Sequence, residues 1–175
     1  IFIMSFCFHC AFELKETIPK GDNRLRWQCY NCDHIAYENP KVVVGLVPLY
    51  DDKILLCKRA IEPAYGKWTL PAGFMECDES ISDGALRESN EEAGIDVELK
   101  QLFSTYSVPN VNQVHMYFLA QMTSAKLNPG PETLEAKFFA LTDIPWADIA
   151  FSSVTFTLKK VVEHHANLDN KHFSK

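Results

Sequence analysis

Residues Gly73 to Ile95 read GFMECDESISDGALRESNEEAGI, and the core of that run is Arg87-Glu88-Ser89-Asn90-Glu91-Glu92-Ala93-Gly94. Ser80 is a candidate N-cap, with Asp83 three residues on as a variant of the capping box. Gly94 is a candidate helix stop. A helix of about three to four turns is therefore expected between them. Each helical residue turns about 100°, so Glu88, Glu91 and Glu92 share one face. Like charges at that spacing repel by a few tenths of a kcal/mol per pair. Glu91 and Glu92 also fall in the last turn, where the helix dipole disfavours negative charge. Arg87 is the local relief, and a bound cation would relieve the rest. The face is accordingly read as a metal site, against the blander reading of a solvated acidic face. Ser82, Ala85, Leu86, Ser89 and Ala93 form the opposite face, small enough to lie flat on a sheet. Gly84 costs about 1 kcal/mol relative to alanine in mid-helix. It either leaves room for a phosphate or lets the Gly73 loop approach closely.

The flanking sequence supplies strands. Asn39-Pro40 marks a boundary, because the residue before proline is pushed out of the helical region. Lys41 to Tyr50 is an apolar run expected as a buried strand, and Asp51-Asp52 turns it into a hairpin partner at Ile54 to Lys58. Residues Trp68 to Phe74 read as extended. Strands are expected near Val97 to Tyr106, Val114 to Met122 and Glu135 to Leu141, with a loop at Asn128 to Pro131. Pro145 opens a short helix, Ser153 to Ala166 forms a terminal one, and the polar tail is expected to fray. These elements suggest an α+β or α/β sandwich over residues 39–175.

Residues 1–38 are a separate segment with two CxxC pairs, Cys7-Phe8-His9-Cys10 and Cys29-Tyr30-Asn31-Cys32, separated by 18 residues. That matches the C-x₂-C-x₁₅₋₂₀-C-x₂-C spacing of a tetrahedral zinc site. A redox-active pair of CxxC motifs is the alternative, but no thioredoxin-like βαβ pattern surrounds them. The segment is too small for its own core, so metal binding would supply its folding energy. Short strands are expected at Ala11 to Leu14 and Leu25 to Cys29, and His9 and His34 are read as surface residues or neighbours of the ligands. Cys57 reads as a buried small hydrophobe, and Cys77 lacks a basic neighbour to activate it.

The chain has 175 residues, a net charge of −6 and a pI of about 5.5. The acidic balance argues against nucleic-acid binding by phosphate neutralisation, but not against a small phosphate substrate whose charge metal ions offset. Apolar content of 47% and charged content of 23% fit a soluble globular protein. No apolar run is long enough to span a membrane. The opening IFIMSFCF lacks the basic region and cleavage site of a signal peptide. The expected location is therefore cytoplasmic, where zinc is favoured over disulfides. Met4 is a candidate initiator.

The run Gly73-x₅-Glu79-x₇-Arg87-Glu88-Ser89-x-Glu91-Glu92-x-Gly94-Ile95 resembles the signature box of the Nudix hydrolases. Its charged and glycine positions all match, and Ser89 departs from the family's usual aliphatic residue. With the ribbon ahead of it, the chain is similar to the zinc-ribbon branch of that family, which includes NADH, FAD and ADP-ribose pyrophosphatases. The resemblance implies an α/β/α sandwich with a mixed sheet, preceded by a small zinc ribbon. It further implies Mg²⁺ (or Mn²⁺) held by Glu88, Glu91, Glu92 and the Gly73 carbonyl, and Zn²⁺ held by Cys7, Cys10, Cys29 and Cys32.

Arg87 would orient a box glutamate, and Glu79 would anchor the loop or stand in the metal's outer shell beside the substrate. The general base would be Glu91 within the box or an acid from a later loop, for which Glu132 and Glu135 are candidates. Lys58-Arg59 is either a diphosphate contact or an ordinary soluble strand end, and arginine suits bidentate phosphate binding. Tyr106 and Phe118 are candidates to stack a base, although strand aromatics are more often core.

The SQPWPFP array of the NADH enzymes is absent from Phe103 to Val114, and Pro109 lies near the proline found in ADP-ribose enzymes. The implied reaction is hydrolysis of a small nucleoside diphosphate derivative, ADP-ribose or FAD, releasing AMP. The alternatives are an NADH or NAD-cap pyrophosphatase and a non-catalytic nucleotide-sensing, nucleic-acid- or protein-binding module. The ribbon is either structural or a homodimer interface.

Overall fold

The structure is a computed structural model that describes residues 6–175; Met4 lies outside the described residues. The chain divides into two compact units, residues 1–39 and 40–175.

In the first unit, β1 (Leu14–Thr17), β2 (Arg26–Cys29) and β3 (Ile35–Ala36) form an antiparallel sheet in that order. The first strand begins at Leu14 rather than ending there, because Cys7 to Phe12 is a turn closed by Cys7 N–H to Phe12 O and Ala11 N–H to Cys7 O. Cys7, Leu14, Cys29 and Ala36 are the buried centre, too few apolar groups to hold a fold unaided.

The second unit is a mixed sheet in the order β10-β5-β4-β9-β8-β11. Its strands are β4 (Lys41–Tyr50), β5 (Lys53–Arg59), β8 (Val97–Val108), β9 (Gln113–Met122), β10 (Thr133–Ala140) and β11 (Phe173–Ser174). Two short strands, β6 (Trp68–Thr69) and β7 (Ala72–Phe74), pair with β5 and β4. A parallel β4–β9 pairing makes the sheet mixed. The alternation of β4 sets the layers. Val44 and Leu46 pack with Ala85 of helix α1 (Ile81–Ala93), Phe118 and Ala120. Val47 packs with Val154, Leu158 and Val161 of helix α2 (Ser152–His164). The sheet is thus covered by one helix on each face.

The tail does not fray. Phe173 and Ser174 pair in parallel with Ser104 and Thr105, Lys175 N–H donates to Thr105 O, and Lys175 O accepts from Ser107 N–H. Phe173 meets the Phe103 ring at 5.3 Å and stacks on His164 at 4.8 Å, and Leu168 also packs on the core, so two apolar residues in a polar tail anchor it. The expected Pro145 helix is a single 3-10 turn, Trp146–Asp148.

Candidate active site and metal cluster

The ends of α1 are built as its sequence dictates. Ser80 Oγ accepts from Asp83 N–H at 3.1 Å and donates to the Asp83 carboxylate at 2.6 Å. Gly94 adopts φ 59°, ψ 45°, with its N–H bonded to Asn90 O at 2.8 Å. This left-handed geometry penalises any residue with a Cβ. Ser89 is 1% exposed, and its hydroxyl donates to Leu86 O at 2.9 Å, so the polar residue on the packing face is satisfied within the helix.

Arg87 organises the acids. Its Nε and Nη2 grip Glu79 at 3.0 and 2.8 Å, Nη1 reaches Glu88 at 2.8 Å and Glu91 at 3.2 Å, and Nη2 also donates to Phe74 O at 3.1 Å. The guanidinium bonds hold the Glu79 carboxyl down to about 2. Glu79 also accepts from Glu76 N–H at 2.7 Å, so it ties the loop before α1 to the helix. Gly84 is part of the same joint. A Cβ there would meet Glu79 Oε1 at 2.6 Å and Val44 Cγ2 at 2.9 Å, which assigns the mid-helix glycine to close approach of loop and sheet. A Cβ on Gly73 would overlap the Glu88 carboxylate, so that carboxylate lies against a bare Cα.

Glu92 is the most enclosed acid, 8% exposed, and accepts Ala72 N–H at 3.0 Å. Burial, with Glu88 and Glu132 adding repulsion, pushes its carboxyl up to about 7 despite the Ala72 bond and the Arg59 charge. Burial also raises Glu88, against the Arg87 bond that lowers it.

These groups line one cleft of about 680 Å³, which takes in Gly73, Arg59, Arg87, Glu88, Glu91, Glu92 and Glu132. Arg59 is held there by a 2.8 Å bond from Nε to Pro63 O and lies 5.1 Å over the Phe151 ring. Clustered carboxylates, partly buried and with more negative charge than their two arginines offset, are a fitting seat for a hard divalent cation with oxygen ligands. Glu88, Glu91 and Glu92 are the side chains that could hold one.

Three sequence candidates stand elsewhere. Tyr106 lies on the α2 face of β8, with Phe156 at 5.4 Å and the Lys175 ammonium over its ring. Glu135 is exposed on β10 opposite Lys58. Phe118 is core beneath α1. Tyr106 and Glu135 therefore do not line the cleft, and Glu79 acts on it through Arg87. Sequence reasoning missed Gln113, His115, Tyr117 and Ser153, which do line it. Their signal was the i, i+2, i+4 spacing of the first three on one strand, which puts them on one face.

In the ribbon, Cys7–Cys32, Cys10–Cys29 and Cys10–Cys32 Sγ atoms are 3.7, 3.5 and 3.5 Å apart, and all four lie within 4.8 Å. A tetrahedral Zn–S₄ site has sulfur–sulfur edges of ~3.8 Å, whereas a disulfide needs about 2.05 Å. The arrangement fits zinc. Cys10 is lowered to about 6, chiefly by the Phe12 backbone N–H and also by Asn31. For Cys32 the His34 backbone N–H favours the thiolate, but the crowding thiols and burial outweigh it and raise it to about 12. One thiolate is accommodated and a second resisted, as expected of a cluster that wants a cation. The His9 and His34 rings meet at a tilt beside it, their centroids 4.4 Å apart. Cys57 is 1% exposed and its thiol is raised by burial, so it is a packing residue.

Residues 39–159 match the NUDIX domain model and residues 5–38 the Nudix N-terminal model. The chain belongs to the Nudix hydrolase family, in the branch with an N-terminal ribbon. It is 45% identical to a NUDIX hydrolase from Nitrosomonas europaea whose crystal structure superposes with a TM-score of 0.92, covering 98% of this chain and 99% of that one. It is 30% identical to an ADP-ribose pyrophosphatase of Methanocaldococcus jannaschii over 77% of this chain and 78% of the relative. It is 31% identical to an NAD-capped RNA hydrolase, NudC, of Vibrio atlanticus over 81% of this chain. The chain spans only 51% of that relative's length. Among the described residues, no helix is long and apolar enough to cross a membrane.

Proposed function

We propose that this chain hydrolyses the diphosphate linkage of a small nucleoside diphosphate derivative, with ADP-ribose or FAD as substrate and AMP as a product. The observation that carries the proposal is the gathering of Glu88, Glu91, Glu92, Glu132 and Arg59 on one cleft, with two of the carboxyls raised by burial. Bound Mg²⁺ or Mn²⁺ would supply charge neutralisation at the phosphoryl oxygens and acidify the attacking water.

The chain's own residues do the rest. Glu88, Glu91 and Glu92, with the Gly73 carbonyl, form the cation seat. Arg87 fixes the direction of two of those carboxylates. Arg59, which lines the same cleft, pairs with the diphosphate. Glu132 enters from another loop and is free of the Arg87 network, which makes it the better general base; Glu91 is the alternative, being 58% exposed but tied to Arg87. Water adds to a phosphorus, its proton passes to the base, and the bridging P–O bond breaks to leave two monophosphates. Similarity to the Methanocaldococcus ADP-ribose pyrophosphatase supports the substrate class. Similarity to NudC supports NAD-capped RNA or NADH as the second reading.

The test is kcat/KM on ADP-ribose, FAD, NADH and NAD-capped RNA with Mg²⁺, read as released monophosphate. ADP-ribose or FAD should lead, and Glu91→Gln and Glu92→Gln should each lower turnover at least 100-fold with folding intact. Near-normal rates in both variants would overturn the metal-face assignment.

A further inference from the structure

The cleft has a second wall that the diphosphate chemistry does not use. Strand register places it. Phe74 of β7, Val43 of β4 and His115 of β9 lie abreast, as do Ala72, Gly45 and Tyr117 in the next row. Residues abreast share a face, and two strand spacings set His115 and Tyr117 about 10 Å from the β7 segment that holds Glu92 and backs Glu88. The floor therefore runs from the acids to a group of polar side chains on β9.

His115, Tyr117 and Ser153 are buried, and with the half-buried Gln113 they form one connected network. His115 Nε2 bonds to Gln113 Oε1 at 2.9 Å, His115 Nδ1 to Ser153 Oγ at 2.8 Å, and Ser153 Oγ lies 3.5 Å from Tyr117 O–H. His115 is 8% exposed, Tyr117 2% and Ser153 1%. An amide oxygen only accepts, so Nε2 carries the proton and Ser153 donates to Nδ1. Burial lowers the His115 pKa below its ordinary value and so favours the neutral imidazole, against the acids Glu76, Glu88, Glu91, Glu92 and Glu132 and beside the arginines Arg59 and Arg87 that line the same cleft. With its oxygen committed to His115, Gln113 keeps its NH₂ free as a donor, and Asn110 of the adjoining 3-10 turn adds a second carboxamide to the lining. No side chain of this wall carries a charge. A phosphate gains little there, whereas a hydroxyl-rich group finds carboxamide donors and acceptors matched to it.

We propose that Gln113, oriented by the His115–Ser153 pair, binds the uncharged hydroxyl-bearing group attached to the distal phosphate, and so selects substrates whose second half is a sugar or a polyol chain. This rests on the function proposed above and specifies the X group by its chemistry: vicinal hydroxyls, as in a pentose or a ribityl chain. Gln113 contacts the substrate, and His115 and Ser153 are positioning residues.

The experiment compares kcat and KM for ADP-ribose, FAD and an ADP ester of a simple alkyl alcohol that lacks hydroxyls, in wild type, Gln113→Leu and His115→Phe, each with its melting temperature. Wild type should prefer the hydroxyl-bearing substrates roughly 10- to 100-fold, through KM. Gln113→Leu should erase most of that preference, with a fall on the alkyl ester at least tenfold smaller than on ADP-ribose. His115→Phe, which fills the volume but cannot orient Gln113, should act in the same direction. Gln113 is only half-buried, so its variant keeps the test decisive if His115→Phe does not fold. ADP-ribose against FAD separates a closed sugar from an open polyol. Equal wild-type rates on all three substrates, or equal losses on all three in Gln113→Leu, would overturn this inference and leave the hydrolase reading standing. A wild type that cleaves none of them would overturn both.

Discussion

Glu92→Gln should stabilise the protein while removing its activity. In the absence of a divalent cation at the α1 face, the Glu92 carboxyl sits at about 7 because it is buried among other acids. An unfolded chain presents it near 4.5. Below that value the group is protonated in both states and the fold bears no penalty. As pH rises to 7 the unfolded state ionises freely and the folded state resists, so stability is lost across that window and stays lost above it. The shift corresponds to ~3 kcal/mol. Glutamine keeps the volume and can still accept Ala72 N–H, but has no charge to bury.

Glu92→Gln should therefore gain up to ~3 kcal/mol at pH 8 in Mg²⁺-free buffer with the ribbon zinc-loaded, about 6–12 °C in melting temperature, and gain nothing at pH 4. Added Mg²⁺ should raise the melting temperature of wild type and not that of the variant. Urea titrations at both pH values read the difference. A variant less stable than wild type at pH 8 would refute the argument that this carboxylate is held at a cost that cation binding relieves.

Gly73→Ala should displace the Glu88 carboxylate, costing about 1–3 kcal/mol by overpacking and lowering Mg²⁺-dependent turnover at least tenfold; unchanged Mg²⁺ affinity would contradict the packing seen here. Arg87→Lys offers one ammonium to acceptors on Glu79, Glu88, Glu91 and Phe74, so it should lower stability by about 1 kcal/mol after allowance for its partial exposure. Because Glu79 is held low, its contribution is present above the usual carboxylate range and lost as pH falls toward 2; in Arg87→Lys acid unfolding should begin at higher pH, which a circular-dichroism titration would show. Cys29→Ser should lower bound zinc below one per chain and unfold residues 6–38, measured by metal analysis and amide exchange.

Where each signal was local, the sequence revealed it. Ser80, Asp83 and Gly94 define α1 by capping chemistry that depends on immediate neighbours, and four cysteines define the ribbon by spacing. The box glutamates were legible because their clustering is unfavourable without a reason. What remained hidden depends on register. Tyr106 and His115 are paired partners on neighbouring strands and both meet α2, Tyr106 at Phe156 in its body and His115 at Ser153 near its N-terminus, where the cleft opens. Nothing in either strand's composition distinguishes them. The tail was misread for a related reason: Leu168 and Phe173 count for little in a polar stretch until the core, with Phe103 and His164, is seen to receive them.

The helix carrying Glu91 and Glu92 and the loop carrying Glu132 are joined at the helix end. Asn128 N–H donates to Ala93 O, a Cβ on Gly94 would strike Asn128, and one on Gly130 would strike the Glu91 carbonyl. The Glu132 carbonyl in turn receives Ala60 N–H beside Arg59. Acids far apart in the chain are thereby fixed to one another by backbone contacts that the intervening β8–β9 hairpin does not supply. That hairpin carries Asn110, Gln113 and His115. Under the proposed roles, its turn can lengthen, shorten or change composition over evolutionary time without altering the spacing of the acids, so a lineage would exchange one substrate for another while keeping the cation seat intact.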